Sequence, residues 1–108
     1  MRQWHVNPKI MCRQHLLGEH VEHHMFVGTI NKGTNLDGYL DGLLMTDTLH
    51  ERHDVLVEEM VRRGYNHKSP LPSHSLENVQ LGHIDKEVAL TELLYRCGEC
   101  RNRAKRLE

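Results

Sequence analysis

A chain of 108 residues, 38% hydrophobic and 27% charged, is long enough for one modest core and too short for two domains, so residues 1–108 are expected to form a single unit. The formal charge is −1 with ten neutral histidines, which excludes a basic surface spread over the whole molecule. No stretch has the length of a membrane span, no apolar leader opens the chain, and three cysteines are an odd count, so reduced thiols in the cytoplasm are expected.

Met1 to Cys12 reads as an irregular segment with a turn signal at Asn7-Pro8. From Arg13 to about Ile30 there is no proline and the apolar spacing is helical. Leu17, Val21 and Met25 fall on one face, and Leu16, Val27 and Ile30 on another, the pattern of a central helix with partners on both sides. Between these faces, His15, Glu19, Glu22 and Phe26 form one stripe. Spacing alone leaves two readings of it open, a solvated face and a functional polar strip.

The glycine-punctuated run from Lys32 to about Thr46 reads as a loop with at most a short helical turn. A second helix is expected from about Asp47 to Arg63, with Leu49, His53, Leu56, Val57 and Met60 on its apolar arc and Gly64 as its stop. Ser69 to Gly82, with Pro70 and Pro72, reads as an extended connection. A third helix follows from about Ile84, with Ala89, Leu90, Leu93, Leu94, Cys97 and Cys100 sharing a face. The expected fold is all-α, three main helices with an irregular N-terminal segment reaching into the site.

The positive charge is clustered: Arg62, Arg63 and Lys68 form one group, and Arg96, Arg101, Arg103, Lys105 and Arg106 another. Two sets of residues raise a metal reading. His20, His23 and His24 with Glu19 and Glu22, and again His50 with His53, have spacings that place two ligands on one helix face, but no His-Glu-x-x-His signature is present. Cys97-x-x-Cys100, with Cys12 as a third ligand, lacks a fourth that the sequence identifies. Scattered histidines and cysteines packed as small hydrophobes are the simpler account, so no metal and no cofactor are expected.

The run Arg13-Gln14-His15-Leu16-Leu17-Gly18-Glu19-His20-Val21-Glu22 resembles the first helix of the pyrimidine-dimer DNA glycosylases, the phage endonuclease V type of UV-repair enzyme. Gln14-His15-Leu16, Glu19 and Glu22 stand in unbroken register with that pattern. Leu49-His50-Glu51-Arg52 through Leu56 to Arg62-Arg63-Gly64-Tyr65-Asn66-His67-Lys68 resembles the family's second helix and its basic-Gly-aromatic-Asn ending, and a weaker similarity covers Asp85 to Arg103.

The resemblance implies a glycosylase with abasic-site lyase activity on UV-induced pyrimidine dimers, a hydrolase and lyase that needs no metal. Its nucleophile is the α-amine of the first residue, here Met1, and its essential acid is carried over to Glu22. Such an amine ionises close enough to neutrality for a useful fraction to be nucleophilic. Arg2 is bulky enough to keep Met1 in place. The implied DNA contacts are Arg2, Gln14, His15, Arg62, Arg63, Lys68, Arg101, Arg103 and Lys105, on damaged double-stranded DNA, by a monomer in the cytoplasm of a host cell if phage-encoded. Trp4 and Tyr65 are candidate stacking groups.

The departures bear on substrate. Val21 and Met25 replace family arginines, Asp37 and Asp41 enter the loop that is basic in the family, and Cys97-Gly98-Glu99-Cys100 replaces an aromatic C-terminus. A different modified base, a non-catalytic DNA-binding module of the same fold, and a His/Glu metal-dependent hydrolase are the other readings.

Overall fold

The computed structural model describes residues 1–67, 70–76 and 79–107. Among them are four α-helices: α1 (Arg13–Asn31), α2 (Leu49–Arg62), α3 (Lys86–Arg96) and α4 (Gly98–Arg106). The class is all-α as expected, with the third helix divided in two.

Helices α1 and α2 form the central pair. Leu16 of α1 shares a core with Leu56 and Met60 of α2, whereas Phe26 and Val27 share a second core with Leu49. The early part of α1 thus meets the late part of α2, so the helices are antiparallel. Between the two cores the seam is polar: Glu19, His20 and His23 from α1 face Arg52 and His53 from α2, all buried.

That polar layer corrects the reading of α1. Val21 and Met25 are 55% and 50% exposed, while Glu19 is 1% exposed. A carboxylate can take the inward position because Arg52 meets it with two hydrogen bonds, Nε to Oε2 at 2.6 Å and Nη2 to Oε1 at 3.0 Å. The helix packs one face, and Glu19 belongs to it.

Helix α2 begins after a 3-10 turn at Thr46–Thr48 and ends where Gly64, at φ 85°, takes the left-handed conformation that terminates helices. Glu59, 3% exposed as a residue, accepts from Arg62 Nε at 2.8 Å and Arg63 Nε at 2.7 Å. The Arg62 hydrogen bond, with Arg63 beside it and against the opposing effect of burial, lowers the Glu59 carboxyl from 4.5 to about 2. A depressed carboxylate stabilises the fold above its unfolded value and loses that contribution as pH falls toward its folded value. The urea midpoint of the native chain should therefore exceed that of Glu59→Gln at pH 6, and the gap should close as pH falls from 4.5 to about 2. A gap that stays constant over this window would show the ion pairs contribute nothing.

The chain after Asn31 returns to α2 through the second core, where Leu36 and Leu44 are buried. It is pinned to the approach to α3 by an isolated bridge, Gly42 N–H to His83 O at 2.7 Å and His83 N–H to Leu40 O at 2.8 Å. Gly82 sits against this bridge so closely that a Cβ would overlap the Leu44 carbonyl oxygen and lie 3.1 Å from Leu40 O. Gly82→Ala must therefore displace backbone, and should destabilise the fold by about 1–3 kcal/mol. Chemical denaturation reads this directly, and an unchanged midpoint would mean the bridge yields freely.

Asp85 caps α3 by accepting from the N–H groups of Glu87 and Val88. The helix does not continue through the cysteines. Cys97 leaves helical geometry at φ −121° and ψ 108°, and its Sγ accepts the N–H of Cys100, so it closes α3 and caps α4. Cys100 is fully buried in the first core beside Cys12, Ala89 and Leu93.

Candidate active site

The N-terminal segment lies inside the fold. Gln3, Trp4, Val6, Ile10, Met11 and Cys12 are all buried. His5 turns the chain at φ 53°, which lets Trp4 and Val6 both pack inward, and its Nε2 lies 2.9 Å from Thr48 Oγ1.

Gln3 is the anchor. Its backbone N–H donates to Leu43 O at 2.7 Å, and its side-chain oxygen accepts from the Met45 N–H at 2.9 Å. Its Nε2 lies 3.0 Å from His23 Nε2, and His23 Nδ1 lies 2.8 Å from the Glu19 carbonyl. An amide NH₂ only donates and a carbonyl only accepts, which fixes the ring as neutral, protonated on Nδ1 and accepting at Nε2. Burial likewise lowers the His23 pKa. Sequence reasoning missed Gln3 and raised His23 only as a metal-ligand candidate, since a buried amide against a buried imidazole leaves no pattern in either segment.

With Gln3 fixed, the two residues before it have little choice of position. The Arg2 N–H donates to Glu22 Oε2 at 3.0 Å, placing the first peptide unit over that carboxylate. The Arg2 guanidinium lies 3.8 Å from the Trp4 ring centroid and pairs with Glu92 of α3 at 3.1 Å. Met1 stands at the surface, 38% exposed. Met1, Arg2 and Glu22 are thus brought together from opposite ends of a 20-residue separation in the chain. The two glutamates of the α1 stripe part company: Glu19 is a buried structural ion and Glu22 faces the N-terminus.

Other sequence-derived contacts lie elsewhere. Arg63 is engaged inward, donating to Pro8 O at 3.0 Å and Met11 O at 2.7 Å besides its pairing with Glu59. Arg103 donates to Lys9 O at 3.1 Å, so guanidinium groups from α2 and α4 hold the same turn of the N-terminal segment. Arg101 donates to Leu94 O and Tyr95 O at the end of α3. Arg62 and Lys105 are exposed, as is Gln14, and Lys68 lies outside the described residues. His15 lies against Cys12 and Cys100. Trp4 is a core residue, and Tyr65 is half-buried with Arg13 over its ring.

No helix among the described residues is long and apolar enough to cross a membrane. No curated protein and no solved structure matches the chain. The sequence profile of the pyrimidine dimer DNA glycosylases matches residues 1–73, and the stretch from Asp85 to Arg103 lies beyond it. Because that match runs from the first residue through α1 and α2 and covers well over half of the sequence, the chain belongs to the pyrimidine dimer DNA glycosylase family.

Proposed function

We propose that this chain is a DNA repair glycosylase with abasic-site lyase activity on UV-induced pyrimidine dimers, with the Met1 amine as nucleophile and Glu22 as acid–base and electrostatic group. The observation that carries the reading is the 3.0 Å hydrogen bond between the Arg2 N–H and the Glu22 carboxylate, which holds the amine-bearing residue beside the acid. Family membership supplies the substrate class.

The chemistry follows from these two groups. The amine lone pair attacks the sugar C1′, the C1′–N bond breaks, and its electrons leave with the base, which takes up a proton. The amine loses a proton, its lone pair expels O4′ from C1′ to give an iminium, and O4′ takes up a proton. That group acidifies the C2′ proton, whose removal expels the 3′ phosphate by cleavage of the C3′–O3′ bond. Glu22 opposes the positive charge that develops at the sugar and moves protons between these steps. Water then releases the amine. Arg2, held by Glu92 and Trp4, keeps the terminal peptide in register.

The test is borohydride trapping with a tag-free, unacetylated N-terminus, on duplexes carrying either a cyclobutane dimer or an abasic site. Hydride reduces the iminium carbon and fixes the amine to the sugar. A trapped peptide mapping to Met1 on dimer DNA is expected. Trapping on the abasic duplex alone would keep the lyase and redirect the glycosylase to another base. The exposed apolar pair Val21 and Met25, where the family carries arginines, gives that outcome a physical basis. Binding without trapping on either duplex would favour a non-catalytic module.

A further inference from the structure

Cys12 precedes α1 as its N-cap and His15 lies three residues later; Cys97 precedes α4 as its N-cap and Cys100 lies three residues later. Two helix N-termini thus deliver a side chain from the cap and one from the first turn to a single point. Their ligand atoms all lie within 4.8 Å of one another. Cys12 Sγ is 3.1 Å from His15 Nδ1 and 3.8 Å from Cys97 Sγ, and Cys100 Sγ is 3.7 Å from His15 Nδ1. A tetrahedral zinc ion, with bonds of about 2.3 Å to sulfur and about 2.0–2.1 Å to nitrogen, places sulfurs about 3.8 Å apart and sulfur about 3.6 Å from nitrogen.

The surroundings suit thiolates. Cys100 Sγ accepts the Cys12 N–H at 3.1 Å, and Cys97 Sγ accepts the Cys100 N–H at 3.4 Å. Both helices also direct the positive ends of their dipoles at the cluster. All three cysteines are free thiols. We propose that Cys12, His15, Cys97 and Cys100 form a closed Cys₃His structural zinc site. It would fasten α4, which lies beyond the family match, to the start of α1 and so to the segment that carries Met1. The proposal does not depend on the glycosylase reading.

The native, tag-free chain should retain at least one zinc per molecule after desalting. Metal-free chain titrated with Co²⁺ should develop thiolate-to-cobalt charge-transfer absorption and tetrahedral ligand-field bands, saturating at one equivalent for this chromophore. All three thiols should resist alkylation until a chelator is added, and chelation should lower the melting temperature by on the order of 10 °C. In Cys97→Ser, a half-buried position, the charge-transfer intensity should fall. The Co²⁺ titration of the unaltered chain decides the matter if that variant fails to fold. Absence of a charge-transfer band, thiols equally reactive with and without metal, or a Cys12–Cys97 disulfide in the native chain would overturn the site.

A second observation stands apart from these cysteines. His20 and His24 of α1, His53 of α2 and His67 after α2 converge, with ring centroids 4.8 Å apart for His20–His53, 5.2 Å for His20–His24 and 4.9 Å for His20–His67. The Nε2 atoms of all four are buried without a hydrogen-bond partner in the protein, and Nδ1 of His53 lies 3.7 Å from Asp54 Oδ1. Buried ring nitrogens are costly unless a hydrogen-bonding group or a metal ion meets them. We infer that His20, His24 and His53, with His67 beside them, bind a second divalent first-row metal ion through neutral imidazoles.

The unaltered chain should then take up two equivalents of Zn²⁺. His24→Asn should take up one while its Co²⁺ thiolate band is unchanged. Saturation of the unaltered chain at one equivalent, or equal uptake by His24→Asn, would overturn the second site and leave the first standing.

Discussion

Replacing Glu22 with Gln is expected to lower single-turnover glycosidic-bond cleavage in dimer DNA by on the order of 10²- to 10⁴-fold while leaving the fold and DNA binding intact. The substitution is informative because of what it preserves. The amide oxygen of Gln can still accept the Arg2 N–H, so the terminal residue stays over the same spot on α1. The negative charge and the capacity to carry a proton are what disappear. Glu22→Ala removes the hydrogen bond as well, and a further loss in that variant measures positioning of the amine. Duplex binding by titration and the melting temperature should match those of the unaltered chain in Glu22→Gln. Unchanged glycosidic-bond cleavage in that variant would end the assignment of Glu22 and, with it, the mechanism.

The site and the fold were legible in the sequence to different depths. Helix periodicity placed α1 to within a residue at either end and α2 to within about a turn, because both have apolar positions at helical spacing and a clear stop. Periodicity could not choose which side of α1 faces inward. Glu19 looks like a surface residue until Arg52, 33 positions away, is brought to it. The break at Cys97 was hidden for a related reason. Cys97 and Cys100 continue the face of Leu93 when projected onto one helix, and only the Cys97 cap shows that a second helix begins. His15 matched a family motif as a DNA contact, yet its neighbours are sulfurs 82 or more positions distant and one three positions before it. Pairings across such separations are tertiary facts, and a linear pattern does not carry them.

The second large effect is expected at that buried ion pair. Arg52→Met should destabilise the chain by about 3–5 kcal/mol, because it leaves Glu19 charged and unpaired among groups it cannot satisfy. The arginine does more than neutralise. Its Nη1 donates to Val6 O at 2.8 Å and its Nη2 lies 3.6 Å from Met11 Sδ, so one side chain of α2 binds α1 and the N-terminal segment together. Pairing the change with Glu19→Leu removes the stranded charge, and the double variant should recover much of the lost stability. It should not recover activity to the same degree, because the tie to Val6, and through it the placement of Gln3, Arg2 and Met1, is still missing. Urea denaturation and single-turnover kinetics on the same three variants separate the two roles. Full recovery of both would reduce Arg52 to a counter-ion. Recovery of stability alone would show that the buried pair is retained because it aims the N-terminus at Glu22.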